Sequence, residues 1–242
     1  MNKILLGFAS KFHPKRKARR QFKFALLEAQ YAHHSFSKAF DWDWSKIHFN
    51  RIALVNLLVS KFNNCAYLEI GCNINVLFDA VPCIDKVGVD PVVGGNVRQT
   101  SDAFFQENSK QFDVIFIDGL HTYEQVHKDV VNAMKSLKPG GWIALDDLLP
   151  RTWIEHHVPS ISQGAWTGDI WKTAFELANT PGIDFKILKI DNGVGVFRMT
   201  DPNAELVDLS SELADKQFDH FYNNIHHLPI VEWEQAQFWL KQ

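Results

Sequence analysis

The sequence predicts a doubly wound α/β protein, in which helices cover both faces of a mostly parallel sheet whose last strand runs antiparallel. Apolar runs at 114–117 and 142–145 flank a segment with helical periodicity, so residues 112–147 form a strand, a helix and a parallel strand. Further on, a turn at 191–193 with the sequence Asp-Asn-Gly joins two apolar runs, which is the pattern of a hairpin. Sheets of this kind bind ligands at the carboxyl ends of their parallel strands.

The length and composition suit one main domain. The chain has 242 residues, of which 46% are hydrophobic and 22% charged, as in globular proteins with a full core. Its net charge of −3 gives no general basic field and argues against nucleic acid as the partner. We expect an N-terminal helical cover at 1–46, the main domain at 47–200 and a C-terminal helical extension at 201–242.

The predicted cover begins with a helical pattern at 15–32. An aromatic stretch follows at 36–44, which suits packing over a site or against a neighbouring subunit of a homo-oligomer. The basic cluster at 15–20 fits a solvated helix face, with docking on an anionic surface as the alternative. Residues 1–9 are too short an apolar run for a secretory signal, and no run in the sequence is long enough to span a bilayer.

A strand, a glycine turn, a helix and a second strand precede the central unit. After a helical pattern at 47–62, a buried strand at 66–70 ends at Gly71, and the next strand, at 86–89, ends at Asp90. An acid placed about twenty residues after a glycine turn is typical of a ligand to a nucleotide ribose. This order therefore predicts a nucleoside cofactor.

Three shorter features are a possible third strand, a long loop and three cysteines. Residues 97–99 can form a short third strand, and Ser101-Asp102 begin a helix. The loop at 148–168 is too long for a simple connection and is predicted to be functional, as a lid would be. Cys65, Cys72 and Cys83 lack the spacing of a zinc site or a disulfide framework, which favours a reducing cytoplasm.

The glycine turn argues against a dinucleotide. A pyrophosphate sits on bare backbone amides, which the pattern G-x-G-x-x-G provides, and here Gly71 stands without the second and third glycines. Glu69, at the end of the first strand, would repel a pyrophosphate and would suit the ammonium of an amino-acid moiety. An NAD-dependent enzyme is therefore disfavoured.

With these motifs in place, the chain resembles class I S-adenosylmethionine-dependent methyltransferases. The resemblance rests on the stretches 68–71, 89–90, 112–123 and 137–141, and it covers roughly residues 54–199. Asp118-Gly119-Leu120-His121-Thr122-Tyr123, the Asp146-Asp147 pair and residues 168–172 are similar to the branch of macrolide-sugar O-methyltransferases and cephalosporin-hydroxylase-like proteins. The family implies a Rossmann-like sheet of seven strands with an antiparallel last strand.

The resemblance also implies a role for each matching residue. Glu69 and Gly71 would line the methionine part of S-adenosylmethionine, Asp90 would hold the ribose, and Ser101 and Asp102 would flank the adenine. Asp118 would be a further cofactor-binding residue. The family usually has another glycine where residues 73–75 stand, so either a wider turn or a lower affinity for the cofactor is expected.

In metal-dependent branches of the family, acids at the ends of the fourth and fifth strands bind magnesium. Asp118, Asp146 and Asp147 match those places, and a hard cation prefers such oxygen ligands. His121 would take a proton from the acceptor hydroxyl or would be a further metal ligand, and His156 and His157 are weaker candidates for that role. The acceptor would be a small molecule or a sugar, to which a methyl group is transferred.

Two alternatives remain open from the sequence. In a metal-free methyltransferase, His121 would act as the base without Mg2+. In a binding or scaffold protein, a methyltransferase fold would persist without catalysis, since a fold does not fix a function.

Overall fold

The computed structural model describes residues 13–241, which fold around one seven-stranded sheet. The strands lie in the order β2, β1, β3, β4, β6, β5, β7. Of these, β6 alone runs antiparallel to its neighbours, which are β4 and β5. The bounds are β1 Ala66–Ile70, β2 Asp85–Val89, β3 Phe112–Ile117, β4 Leu137–Leu145, β5 Ile183–Leu188, β6 Val194–Met199 and β7 Ile230–Val231.

Ten α-helices connect and flank these strands within the described part of the chain. The helix α5 follows β3 with buried residues at helical spacing, as the sequence predicts. The bounds are α1 His13–Gln30, α2 Arg51–Val59, α3 Val76–Ala80, α4 Ser101–Glu107, α5 Tyr123–Lys135, α6 Trp153–His156, α7 Trp171–Asn179, α8 Ser210–Leu213, α9 Phe218–Asn224 and α10 Trp233–Leu240.

The predicted fold class is confirmed, while two strands differ in detail. The expected third strand at 97–99 is reduced to a single bridge between Val97 and Val89. The count of seven is reached instead by β7, whose Ile230 pairs with Ile187 of β5 in the parallel direction. This strand lies in the C-terminal extension, where the sequence pattern predicts only helix, because two residues are too few to show a period of two.

The sheet buries two apolar layers, one on each face. One face packs against α5, α7 and α9, and the other packs against α2, α3 and α10. Alternation along β3 divides its side chains between the two layers, so that Ile115 faces the first and Phe116 the second. Helices on both faces leave the carboxyl edge of the sheet as the open end.

The aromatic stretch at 36–44 packs against the C-terminal extension. Phe40 stacks on Trp42 at 4.2 Å between ring centroids and contacts Phe218, Phe221 and Tyr222. Its aromatic residues therefore join the first apolar layer, with α9 of the extension as their partner. The apolar run at 1–9 lies outside the described residues, and within 13–241 no helix is long and apolar enough to cross a membrane.

Candidate active site

A cavity of about 750 Å³ opens at the carboxyl edge, where the strand order reverses between β1 and β3. This is the switch point at which α/β sheets bind ligands, and the volume is in the range of small-molecule sites. Gly71, Asp90, Asp118 and Asp147 reach the cavity from the ends of β1, β2, β3 and β4. Parallel strands thus bring together residues that are far apart in sequence.

Gly71 forms the turn after β1 in a conformation that excludes other residues. Its φ is +85°, and a Cβ added there would lie 2.0 Å from the backbone oxygen of Asp118. The backbone N–H of Gly71 donates to the carbonyl of Val89 at 2.8 Å. The turn therefore holds β1, β2 and β3 together at the cavity wall.

Two asparagines form the rest of this turn. Asn73 and Asn75 take left-handed φ values of +45° and +66°, which asparagine tolerates better than most residues. The side-chain oxygen of Asn75 accepts from the Gly95 N–H at 2.7 Å, and a Cβ on Gly94 would lie 1.9 Å from the Asn73 carbonyl. The turn after β1 is thereby fixed to the loop after β2.

The Asp90 carboxylate organises the loop beside the cavity. Its Oδ1 accepts from the N–H groups of Val92 and Val93, each at 2.8 Å, and its Oδ2 accepts from Asn73 N–H at 2.9 Å. Burial raises the pKa of Asp90, but these backbone donors and the charge of Arg98 outweigh burial and lower it. Oδ2 keeps one acceptor position for a ligand hydroxyl.

Ser101 and Asp102 line the cavity together with Gln125. The amide nitrogen of Gln125 lies 3.1 Å from Ser101 Oγ, 2.9 Å from Asp102 Oδ1 and 3.1 Å from Asp129 Oδ1, and these three acceptors share its two protons. Three acceptors around one amide nitrogen fix the orientation of the side chain. The amide oxygen of Gln125 is then the group left for a ligand.

Glu69 lies behind the cavity wall and not among the residues that line it. It is 2% exposed, and Tyr67 donates a hydrogen bond to its Oε2 at 2.6 Å. Burial raises the pKa of Glu69 to about 7, although the hydrogen bond from Tyr67 works in the opposite direction. Direct contact with a cofactor ammonium, which the sequence predicts, would require the Glu69 side chain to reach the cavity from behind its wall.

Asp118, His121 and Asp147 form one compact group. The imidazole Nε2 lies 3.2 Å from Asp118 Oδ1, and Nδ1 lies 3.2 Å from Asp147 Oδ2 and 3.0 Å from the Trp166 carbonyl oxygen. Burial alone would lower the pKa of His121, but the hydrogen bond with Asp118 and the charges of both acids raise it to about 9. At neutral pH the ring is a cation held between two carboxylates.

A strained backbone conformation orients the carboxylate of Asp147. Its φ is +64°, an uncommon value for a residue with a side chain. Asn192 donates to Asp147 Oδ1 at 2.7 Å, which leaves Oδ2 towards His121. Burial raises the pKa of Asp147 to about 6, with the charge of His121 acting against that change.

Asp146 is held by a residue that sequence reasoning misses. Arg51 Nη1, from the start of α2, lies 3.3 Å from Asp146 Oδ2 and 3.9 Å from Asp191 Oδ2. Burial and the nearby Asp147 raise the pKa of Asp146 despite the arginine. No pattern in the helix marks Arg51, because only the fold brings α2 to the ends of β4 and β5.

The ligating atoms of Asp118, His121 and Asp147 lie within 4.8 Å of one another and fit a divalent cation. Their oxygens are the ligands that Mg2+ prefers, while an imidazole suits softer metals as well. Asp146 is turned to Arg51 and is not part of this group. Of the predicted metal ligands, the structure brings together Asp118, Asp147 and the further candidate His121.

The two weaker histidine candidates lie away from the cavity. His156 is 1% exposed, and its Nδ1 accepts from the indole N–H of Trp171 at 3.2 Å. Burial lowers the pKa of His156 to about 3. His157 bonds to His34 and to the Pro159 carbonyl, so both histidines belong to the packing of the loop at 148–168.

That loop nevertheless reaches the site through Trp166. The indole stacks on the His121 ring at 5.3 Å between centroids, with an interplanar angle of 24°. A Cβ on the neighbouring Gly168 would lie 1.8 Å from the His121 carbonyl oxygen. The loop thus braces the histidine from the side opposite the sheet.

Comparison with known families places a methyltransferase domain at residues 78–148. The matched segment runs from α3 to just past β4, and it contains Asp90, the Ser101-Asp102 pair and the group around His121. It begins after Gly71 and ends at Leu148, the first residue of the loop at 148–168. For the segment that it covers, this match bears out the predicted methyltransferase.

Solved structures with a similar chain course include an O-methyltransferase from Bacillus cereus in complex with S-adenosylhomocysteine. It is 15% identical, over 75% of this chain and 90% of that one, with a TM-score of 0.45. The S-adenosylhomocysteine-bound methyltransferase PaMTH1 from Podospora anserina is 15% identical over 80% and 97% of the two chains, also with a TM-score of 0.45. The MycE methyltransferase of mycinamycin biosynthesis, solved with Mg, S-adenosylhomocysteine and mycinamycin VI, is 14% identical over 77% and 57%, with a TM-score of 0.42. No curated protein sequence matches the chain.

Proposed function

We propose that this protein, whose central segment is a methyltransferase domain, transfers the methyl group of S-adenosylmethionine to a hydroxyl of a small molecule or sugar. The observation that carries the proposal is one cavity with two chemically different ends. Asp90, Ser101 and Gln125 offer hydrogen-bond partners for a nucleoside at one end. Asp118, His121 and Asp147 offer charge and a proton-transfer group at the other.

The cofactor end works through positioning. Asp90 Oδ2 would accept a ribose hydroxyl, and the fixed amide oxygen of Gln125 would accept from the exocyclic amine of adenine. Gly71 allows the cofactor to approach the backbone between these groups and the acids. The sulfonium methyl would then face the acceptor end, and holding two reactants in line is a large part of catalysis.

At the acceptor end, Asp118 and Asp147 would hold Mg2+, whose charge would favour loss of the His121 proton, and the neutral ring would then be a further ligand or the proton acceptor. A bound Mg2+ lowers the pKa of a coordinated hydroxyl and so makes it a better nucleophile. Arg51 balances the third acid, Asp146, which would join the ligands only after leaving the arginine.

The metal-free alternative uses the same residues differently. His121 between two acids resembles a general base with its orienting carboxylates. With a pKa of about 9, however, the ring holds its proton at neutral pH and cannot accept another. A metal-free reaction would therefore be slow at pH 7 and would speed up towards pH 9.

The first test is cofactor binding by calorimetry. We expect S-adenosylhomocysteine to bind the wild-type protein and NADH not to bind. We expect Asp90→Asn to lower the affinity for S-adenosylhomocysteine by about tenfold, because a charge-assisted hydrogen bond is lost. Absence of heat with S-adenosylhomocysteine would contradict the proposal and favour a scaffold protein.

The second test separates the metal from the base. We expect methyl transfer to hydroxylated acceptors to stop in EDTA and to return with Mg2+, and we expect Asp147→Asn to reduce it by at least about a hundredfold. Asp215→Asn, at an exposed carboxylate, is the matched control. Full activity in EDTA, rising from pH 7 to 9 and lost in His121→Ala, would instead establish the metal-free reaction.

A further inference from the structure

The basic helix α1 is a feature that the proposed function does not use. It contains 18 residues, and most of its described side chains are exposed. One face holds the helix to the body through Leu27, which packs on the first apolar layer, and Arg20, which donates to the Gln163 carbonyl at 3.2 Å. The opposite face has no partner among the described residues.

That outer face carries an apolar strip. Phe22 is 67% exposed and Leu26 is 56% exposed, although both are large apolar side chains. By helical periodicity they share a face with Ala18, Ala25 and Ala29. Exposed apolar residues at this spacing mark a surface that another surface covers.

The N-terminal end of the chain is strongly basic, whereas the rest of the chain is acidic. Residues 1–27 contain eight Lys or Arg and no Asp or Glu, while the whole chain has a net charge of −3. Residues 28–242 therefore carry a net charge of −11. Because the remaining residues are acidic overall, anions are attracted mainly to the basic N-terminal segment that includes α1.

We propose that α1 lies on a membrane surface rich in anionic phospholipid, with its apolar strip in the interface and its basic residues at the headgroups. Helices with a Lys- and Arg-rich polar side and exposed Phe and Leu on the other bind in this way. A second copy of the chain is disfavoured as the partner, because two such helices would repel each other. Nucleic acid would attract the charges but would leave Phe22 and Leu26 without a role.

The test is flotation of the full chain with vesicles of phosphatidylcholine, alone or with about 30% phosphatidylserine. We expect binding to the mixed vesicles only, and weaker binding at about 1 M salt than at about 0.1 M. Replacing Arg16, Arg19 and Lys23 by Gln should weaken binding by about fivefold for each charge. Replacing Lys46, Lys110 and Lys128 by Gln removes the same charge from the body and should have little effect.

The apolar strip is tested by Phe22→Ser with Leu26→Ser, and Ile84→Ser is the control at an exposed apolar residue of the body. We expect the double variant to lose most binding to mixed vesicles, and the control to keep it. Unchanged circular dichroism would show that both variants are folded. Equal binding by wild type and the double variant, or tight binding to single-stranded RNA that the double variant retains, would overturn the proposal.

Discussion

Gly71 and Gly140 have similar backbone conformations in very different surroundings. Their φ values are +85° and +79°, but a Cβ on Gly71 would meet Asp118, whereas nothing lies within 4 Å of a Cβ on Gly140. We expect Gly140→Ala to cost about 1 kcal/mol of unfolding free energy through its backbone alone. Gly71→Ala should cost at least about 3 kcal/mol and abolish binding of S-adenosylhomocysteine.

Urea unfolding and calorimetry would measure the two effects. The comparison separates the backbone conformation, which both variants strain, from the close approach of β1 and β3, which only Gly71→Ala disturbs. Equal losses of stability in the two variants would contradict a specific role for the contact with Asp118.

Glu69 gives the stability of the protein a pH dependence of predictable sign. Burial raises its pKa from an ordinary value of 4.5 to about 7, so the folded protein binds this proton more tightly than the unfolded chain does. The contribution is fully present below pH 4.5 and is lost as pH rises through 7. Glu69→Gln keeps an acceptor for the Tyr67 hydroxyl and removes the titration.

We therefore expect the unfolding free energy of Glu69→Gln, relative to that of the wild type, to increase by about 2–3 kcal/mol when the pH is raised from 4 to 8. Urea unfolding at the two pH values measures this difference, and Glu205→Gln, at an exposed carboxyl, should show none. A difference that does not change with pH would mean that the pKa of Glu69 is the same in the folded and the unfolded protein.

At the level of single helices and strands, local sequence patterns predict which acids follow each strand. They do not predict which side chains contact those acids. Asp90, Asp118 and the Asp146-Asp147 pair follow apolar strands, so parallel geometry alone predicts that they meet at one edge. Arg51 and Asn192 reach the same place from a helix start and a hairpin turn, and no spacing in the sequence relates them to the acids. The same limit explains why Asp146 is predicted as a metal ligand but is found with Arg51.

Arg51 connects helix α2 to the site through its ion pair with Asp146. Removal of this ion pair should lower the stability of the protein mainly by its effect on Asp146. The side chain of Asp146 is 4% exposed, so Arg51→Gln would leave a buried carboxylate without its cation. We expect a loss of about 2–3 kcal/mol, with much of it restored in the double variant with Asp146→Asn.

Arg198→Gln is the matched control for Arg51→Gln. The side chain of Arg198 is 31% exposed, close to the 33% of Arg51, but its partner Asp184 is 29% exposed and remains solvated. This variant should cost less than about 1 kcal/mol. A double-mutant cycle with no coupling between Arg51 and Asp146 would contradict the role given to the arginine.

At the scale of the whole molecule, the three parts expected from the sequence share two apolar layers. Residues of the N-terminal stretch at 36–44 pack on α9, and α10 lies on the opposite face with Trp233 and Trp239 buried. The indole N–H of Trp239 donates to Asp184, a residue of β5, at 2.8 Å. Helical periodicity predicts these C-terminal helices, but which face of the sheet each one covers depends on contacts that no local pattern contains.

Because the extension completes both layers, we expect the chain to unfold as one cooperative unit. Phe221, in α9, is fully buried against Phe40 and Trp171, so Phe221→Ala should cost about 3–5 kcal/mol. Phe238, in α10, is 71% exposed, and Phe238→Ala should be nearly neutral. Circular dichroism and binding of S-adenosylhomocysteine should report a single transition in both variants, at lower denaturant for Phe221→Ala. Two transitions, with cofactor binding surviving the first, would mean that the extension folds separately from the domain that carries the site.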